Sequence, residues 1–273
     1  MSVALTMPKA SAQATAIREA QSVCASQPSL LVAGLEKSYA GGATPVFNDV
    51  SFAISKGQSV AIIGANGTGK STLLRCCLRL IEPDKGCVHI DGADLTAACK
   101  TRLRRMRSGV GFIFQKHNLV PRLAVLSNVM HGAIARRKGA RCWFHGLAPA
   151  AEREYAMHCL EMVGLADLAA RRADQLSGGQ SQRVAIARSL MQKPSMIFAD
   201  EPAASLDPHA GEEVMETFRS LSERTGMTLV FVSHQVAHAQ RYADRVLGLR
   251  QGRLAIDVEA KALDTSILGA FYG

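Results

Sequence analysis

The chain has 273 residues, of which 48% are hydrophobic, 20% charged and 5% aromatic. That balance suits one globular unit of ordinary size with a smaller insertion, and it excludes whole-chain disorder and fibrous architectures. Thirty-two Lys and Arg against 23 Asp and Glu leave a formal net charge of +9, which favours an anionic partner such as a nucleotide, a nucleic acid or a phospholipid surface without choosing among them. The 7 cysteines include one vicinal pair, Cys76 and Cys77, and no CxxC spacing; this argues against a disulfide framework and a zinc cluster and points to a reducing cytoplasm.

Residues 1–28 are rich in Ala, Ser and Gln with no sustained apolar run, so they read as a flexible extension, and Val3 to Met7 is too short and too interrupted for a secretory signal. From Leu30 the pattern turns strand-like. Ser59 to Gly64 (SVAIIG) is a β-branched apolar run ending in glycine, which predicts a strand buried on both faces. A glycine-rich turn follows, and Leu73, Leu74, Cys77, Leu78 and Ile81 recur at helical spacing, predicting a helix over 71–81.

Roughly from Thr101 to Gln175 the composition changes to helices with basic clusters, Arg102, Arg104, Arg105 and Arg107, then Arg136, Arg137, Lys138 and Arg141. With Gln115 read as a strand-end residue, the inserted helical part spans about 116–175. Met196 to Ala199 and Thr228 to Val232 repeat the buried-strand composition, each followed by a helical pattern, so three parallel strands with crossover helices are expected. These apolar runs fall far short of the roughly 20 residues that span a bilayer. Arg245 to Leu249, a Gln251-Gly252 turn and Arg253 to Val258 predict a hairpin, and 259–273 form a C-terminal tail.

The chemistry concentrates in three places. Gly64-Ala65-Asn66-Gly67-Thr68-Gly69-Lys70-Ser71-Thr72 matches G-x-x-x-x-G-K-[ST] between a buried strand and a helix. Its glycines let consecutive N–H groups and the helix start face a phosphate, Lys70 adds charge, and Ser71 offers a hydroxyl to Mg²⁺. Asp200 and Glu201 end the strand beginning at Met196, where a parallel sheet opens onto its ligand. Asp200 can hold the Mg²⁺ shell and Glu201 can orient a water against the γ-phosphate, unless the pair is only a solvated turn before Pro202. Ser177, followed by Gly178, Gly179 and Gln180, opens a further helix; from the residues alone Ser177 is a helix cap with a second anion-binding end.

Leu176 to Gln180 (LSGGQ), the phosphate loop, the acidic strand, Gln115 in GFIFQ, Ser205-Leu206-Asp207, His234 in VFVSH and Tyr39 in KSY stand in an order that resembles the ATP-binding subunits of ABC transporters, from about Leu30 to Val258. The resemblance implies an α/β fold of the P-loop NTPase type, with a mostly parallel core sheet, an N-terminal antiparallel β subdomain and an inserted α-helical subdomain in a 29–258 domain. It implies ATP and Mg²⁺ as cofactors and a head-to-tail dimer in which Ser177, Gly178, Gly179 and Gln180 meet the partner's ATP. By matched position, Tyr39 stacks on adenine, Gln115 senses the γ-phosphate and Mg²⁺ and faces the permease, Asp207 couples the two sites, and His234 contacts the γ-phosphate. Each has a plainer reading: a surface aromatic, a strand-end polar residue, a helix cap before Pro208 and a satisfied histidine.

Gln235, the Trp143-Phe144 region and the closing FYG look like the ATP-binding subunits of phosphonate importers, a group similar to those for phosphite and hypophosphite. Ser181 and Ala203-Ala204 depart mildly from the family pattern. The implied partners are a second copy, transmembrane permease subunits and, indirectly, a periplasmic solute-binding protein, at the cytoplasmic face of the inner membrane; no nucleic acid is expected. An amino-acid or lipoprotein transporter and a soluble nucleic-acid-associated ATPase are the alternatives.

Overall fold

The computed structural model describes residues 27–39, 44–136 and 148–272. The expectations about residues 1–26, Arg137, Lys138, Arg141, Trp143, Phe144 and Gly273 lie outside the described residues. In chain order the elements are β1 (Leu30–Tyr39), β2 (Thr44–Ile54), β3 (Ser59–Ile63), α1 (Lys70–Cys77), β4 (Lys85–Ile90), β5 (Ala93–Asp94), α2 (Lys100–Arg107), β6 (Val110–Ile113), α3 (Val125–Met130) and α4 (Ala150–Met162). They continue with α5 (Gly178–Leu190), β7 (Met196–Ala199), α6 (Pro208–Thr225), β8 (Thr228–Val232), α7 (Val236–Tyr242), β9 (Arg245–Arg250), β10 (Arg253–Glu259) and α8 (Thr265–Tyr272).

Two sheets result. β2-β1-β4-β5 is antiparallel, and the larger sheet has the order β10-β9-β3-β8-β7-β6. Within the larger sheet β9, β3, β8, β7 and β6 are mutually parallel and only β10 runs against its neighbour. The expected three parallel strands are therefore five. β9 doubles as the first arm of the expected hairpin, which only pairing in space reveals. β6 is hidden in a stretch of helical composition because it is short and contains Gly111. A Cβ there would lie 2.1 Å from Ser189 Oγ of α5, so close helix approach excludes the β-branched residue a strand would otherwise carry.

β3 is buried along its whole length because it separates two cores. Ala61 and Ile63 pack with the helices α3 to α6, whereas Val60 and Ile62 pack with β1, β2, β4 and α1 on the opposite face, as the two-residue side-chain period of a strand requires. α1 is thus held between the two sheets by Leu73, Leu74 and Cys77. It ends at Cys77, four residues before the apolar periodicity does. Arg79 adopts φ 53°, Arg79 N–H donates to Cys76 O and Leu80 N–H to Arg75 O, a Schellman closure that diverts Leu78 and Ile81 into the same core without a further helical turn.

The segment 259–272 carries α8, whose Phe271 is buried against Gly248 of β9. Among the described residues no helix is long and apolar enough to cross a membrane.

Candidate nucleotide site

The parallel register brings four strand ends to one level: Ile113 of β6 pairs with Ala199 of β7, Ala199 with Phe231 of β8, and Val232 with Ile62 of β3. The residues that follow these ends are Gln115, Asp200 with Glu201, His234, and the loop from Gly64. Chain positions separated by more than a hundred residues meet here because the carboxyl ends of parallel strands share one edge.

Gly64 starts the loop at φ 152°, and a Cβ on it would lie 2.4 Å from Leu249 O, so no other residue fits. Ala65, Asn66 and Gly67 are exposed, Thr68 Oγ1 donates to Ala65 O at 2.9 Å, and Gly69 at φ 94° leads into α1. Lys70 is buried, its Nζ donating to Gly64 O at 2.9 Å and to Ala65 O at 2.8 Å. Burial lowers its pKa, with Glu201 and Asp200 acting in the opposite direction. The loop carbonyls therefore hold the ammonium at the mouth of the loop.

Ser71 Oγ donates to Asp200 Oδ1 at 2.6 Å, and Arg75 Nη2 reaches Asp200 Oδ2 at 3.1 Å. Asp200 is only 2% exposed, and a polar side chain so buried needs hydrogen-bond partners of this kind. Thr72 follows on the same helix, half-buried. Glu201 adopts φ 54°, a left-handed conformation that costs about 1–2 kcal/mol for a side chain with a Cβ and turns its carboxylate away from that of Asp200. His234 Nε2 lies 2.5 Å from Glu201 Oε1 and Gln115 Nε2 donates to Glu201 Oε2 at 3.4 Å. A cavity of about 160 Å³ opens beside Glu201 and His234, bounded by Met215, Val232 and His238, which is room enough for water next to the carboxylate.

The remaining sequence-predicted residues form a second group. Ser177 caps α5 through a full capping box: Gln180 N–H donates to Ser177 Oγ at 3.2 Å and Ser177 N–H to Gln180 Oε1 at 3.0 Å. Ser177 and Gly178 are exposed, and Gly179 faces Ala210 so closely that a Cβ would be 2.9 Å from the Ala210 Cβ. Asp207 caps α6, accepting from Ala210 N–H at 3.0 Å with Pro208 at the first helical position. The starts of α5 and α6 are therefore side by side, and among the described residues no hydrogen bond or ion pair joins this group to the first. Tyr39 stands at the end of β1, 48% exposed, with Lys37 Nζ 5.7 Å from its ring centre.

Sequence reasoning missed Arg75. Its signal was present, since Arg75 lies four residues after Ser71 and so on the same face of α1.

A family model for ABC transporters matches residues 47–204. A curated relative from Nitratidesulfovibrio vulgaris, "Phosphonates import ATP-binding protein PhnC", is 44% identical over 245 residues, covering 90% of this chain and 92% of the relative. One of the same name from Bordetella parapertussis is 42% identical over 249 residues, covering 90% and 96%. Among solved structures, the dimeric post-hydrolysis ATP-binding cassette MJ0796 bound to ADP and Pi superposes with a TM-score of 0.74 at 33% identity, covering 86% of this chain and 100% of that one. The ADP conformation of the cassette MJ1267 gives 0.78 at 26% identity, covering 91% and 100%. With the phosphate loop, the acidic strand end and the LSGGQ helix in this arrangement, the chain belongs to the ABC transporter family, as one of its ATP-binding, ATP-hydrolysing subunits.

Proposed function

We propose that the chain drives an importer for phosphonate or another reduced-phosphorus oxyanion, coupling ATP binding and hydrolysis in a head-to-tail dimer to movement of a separate membrane permease. The observation that carries the enzymatic half is the convergence of Lys70, Asp200, Glu201, Gln115 and His234 at four adjacent strand ends. The likeness to the phosphonate import relatives carries the substrate.

In this reading ATP lies with its phosphates in the loop from Gly64 to Thr72 and its adenine against Tyr39, and Ser177, Gly178, Gly179 and Gln180 of a second copy close over it. Among the described residues no hydrogen bond or ion pair joins the exposed Ser177 end to the loop of its own chain, which supports this assignment in trans. Lys70 and the loop N–H groups stabilise charge on the transferring phosphoryl group. Glu201 accepts hydrogen bonds from an attacking water and aligns it, and His234, already on Glu201, reaches the same space. Asp207, at the adjoining helix start, couples the two sites.

Ser71, Asp200 and the amide of Gln115 offer oxygen donors, and the 2.6 Å contact between Ser71 and the buried Asp200 makes a set suited to a hard divalent cation such as Mg²⁺. When bound, that ion would neutralise phosphate charge. The transported anion itself never touches this chain. It would be selected by a permease and a periplasmic solute-binding protein, with this subunit at the cytoplasmic face of the inner membrane.

The test is growth of cells whose chromosomal copy carries Glu201→Gln, on alkylphosphonate, phosphite, hypophosphite or orthophosphate as sole phosphorus source. Loss of growth on one reduced-phosphorus anion with growth retained on orthophosphate is expected. Normal growth on all four, together with loss of ATPase activity in the purified variant, would overturn the substrate assignment and leave the ATPase assignment intact.

A further inference from the structure

The loop that leaves β6 carries Gln115, yet among the described residues most of its hydrogen bonds run to the helices and not to the sheet. Arg188, near the end of α5, donates from Nη1 to Asn118 O at 2.6 Å and from Nη2 to His117 O at 2.7 Å. Two residues on, the fully buried Asn128 of α3 accepts from Val120 N–H at 2.7 Å and donates to Val120 O at 3.1 Å. Against these four bonds, the one hydrogen bond that ties the loop to the acidic strand end among the described residues is that from Gln115 to Glu201, at 3.4 Å.

Arg188 differs from Arg136 and Arg183 in its partners. Arg136 and Arg183 pair with Glu152 and Glu213, but among the described residues no carboxylate pairs with Arg188. Its charge is satisfied by backbone carbonyls alone while burial disfavours the charged form. A guanidinium is kept there at a desolvation cost that an apolar side chain would avoid. The return is geometric: the rigid planar fork takes the carbonyls of His117 and Asn118 on two separate nitrogens at a fixed spacing, which a single ammonium point charge does not reproduce. Asn118 makes those carbonyls available by adopting φ 50°, a conformation asparagine tolerates better than most residues.

We propose that Arg188 is a positioning residue that locks the loop after Gln115 to the helix opened by Ser177, so that Gln115, at one ATP site of the dimer, and Ser177, at the other, move as one body when the dimer closes. The inference rests on the assignment of Gln115 to the chain's own ATP site and of Ser177 to the ATP site of the second copy. Its consequence is that the end of α5 contributes to hydrolysis without touching ATP. Closing the LSGGQ end over a nucleotide carries Gln115 with it, and Gln115 in turn reports on Glu201.

The experiment combines ATPase kinetics of the full chain with amide hydrogen exchange. Arg188→Lys keeps the charge and gives up the fork. It is expected to lower kcat on the order of ten- to a hundredfold, the cost of misplacing a reacting group, with KM for ATP nearly unchanged because the phosphate loop is untouched. In a Gln115→Ala background the same change is expected to have no further effect, as residues acting through one another are non-additive. Losses that multiply would overturn the proposal, because a merely structural arginine acts independently of Gln115. Exchange at 114–120 is expected to quicken in Arg188→Lys while that of 64–70 stays as in the native chain; unchanged exchange at 114–120 refutes the tether. Exchange needs no turnover, so it decides the role of Arg188 even if the native chain proves inactive, a result that would instead sink the ATPase reading.

Discussion

Ser177 holds two roles that substitution can separate. As a cap it satisfies Gln180 N–H, and through the reciprocal bond from Gln180 its own N–H is satisfied too. Ser177→Ala removes the first of these bonds. Loss of an N-cap costs about 1 kcal/mol, which in a domain of this size lowers Tm by about 2–4 °C. Ser177→Asp keeps the cap, because aspartate caps as well as serine and its charge complements the helix start, so Tm should match the native chain. If Ser177 also receives the partner's γ-phosphate, however, the added carboxylate places like charge at the binding end. At about 4 Å and an effective dielectric constant near 20 this repulsion is about 4 kcal/mol, a loss of roughly a thousandfold in kcat/KM. Thermal melts and steady-state ATPase assays on both variants are the measurement. Ser177→Asp should be as stable as the native chain and nearly inactive. An Asp variant that restores both Tm and activity would show that capping is the only role of Ser177, and the trans assignment would fall.

Two further expectations concern stability and reactivity. The Lys37 ammonium and Ser38 N–H hold the Asp84 carboxyl below its ordinary pKa. A group whose folded pKa is depressed contributes stability at neutral pH and loses it as pH falls through the ordinary carboxylate range toward the lowered value. Asp84→Asn should therefore flatten the acid limb of unfolding free energy against pH, followed by denaturant titration from pH 7 downwards; an unchanged limb would refute it. Burial pushes the thiols of Cys76 and Cys159 up to about 12 and that of Cys77 up as well, whereas Cys99 is exposed. Alkylation of the native chain at pH 8, mapped by mass spectrometry, should modify Cys99 well before these three, and labelling of Cys76 at the rate of Cys99 would contradict the packing of α1.

The local chemistry was legible because its constraints are local. Gly64 must be glycine to clear Leu249 O, Lys70 must follow a loop that exposes carbonyls to it, and Ser177 with Gln180 three residues later is a capping box in any context. β3, β7 and β8 declared themselves by continuous burial. β6 did not, since the close approach of α5 at Gly111 replaced the usual strand residue, and β9 read as one arm of a hairpin because its parallel partner β3 lies some 185 residues away, the separation of the Ser59 and Asp244 contact. The end of α1 was overestimated for the opposite reason: Leu78 and Ile81 are apolar because they enter the core, but they do so from a left-handed turn.

The sequence by itself determined the phosphate loop, the acidic strand end, the two capped helix starts and the family to which these belong, because each is a short pattern whose backbone requirements and chemistry travel together. Only the tertiary structure decided that Asp200 is held by Arg75, that Glu201 is shared by His234 and Gln115, and that Arg188 and Asn128 tie the Gln115 loop to the helical body. Those contacts join residues far apart in the chain, and their partners are backbone carbonyls or single side chains, which leave no periodic or compositional trace until parallel strands and packed helices bring them into register.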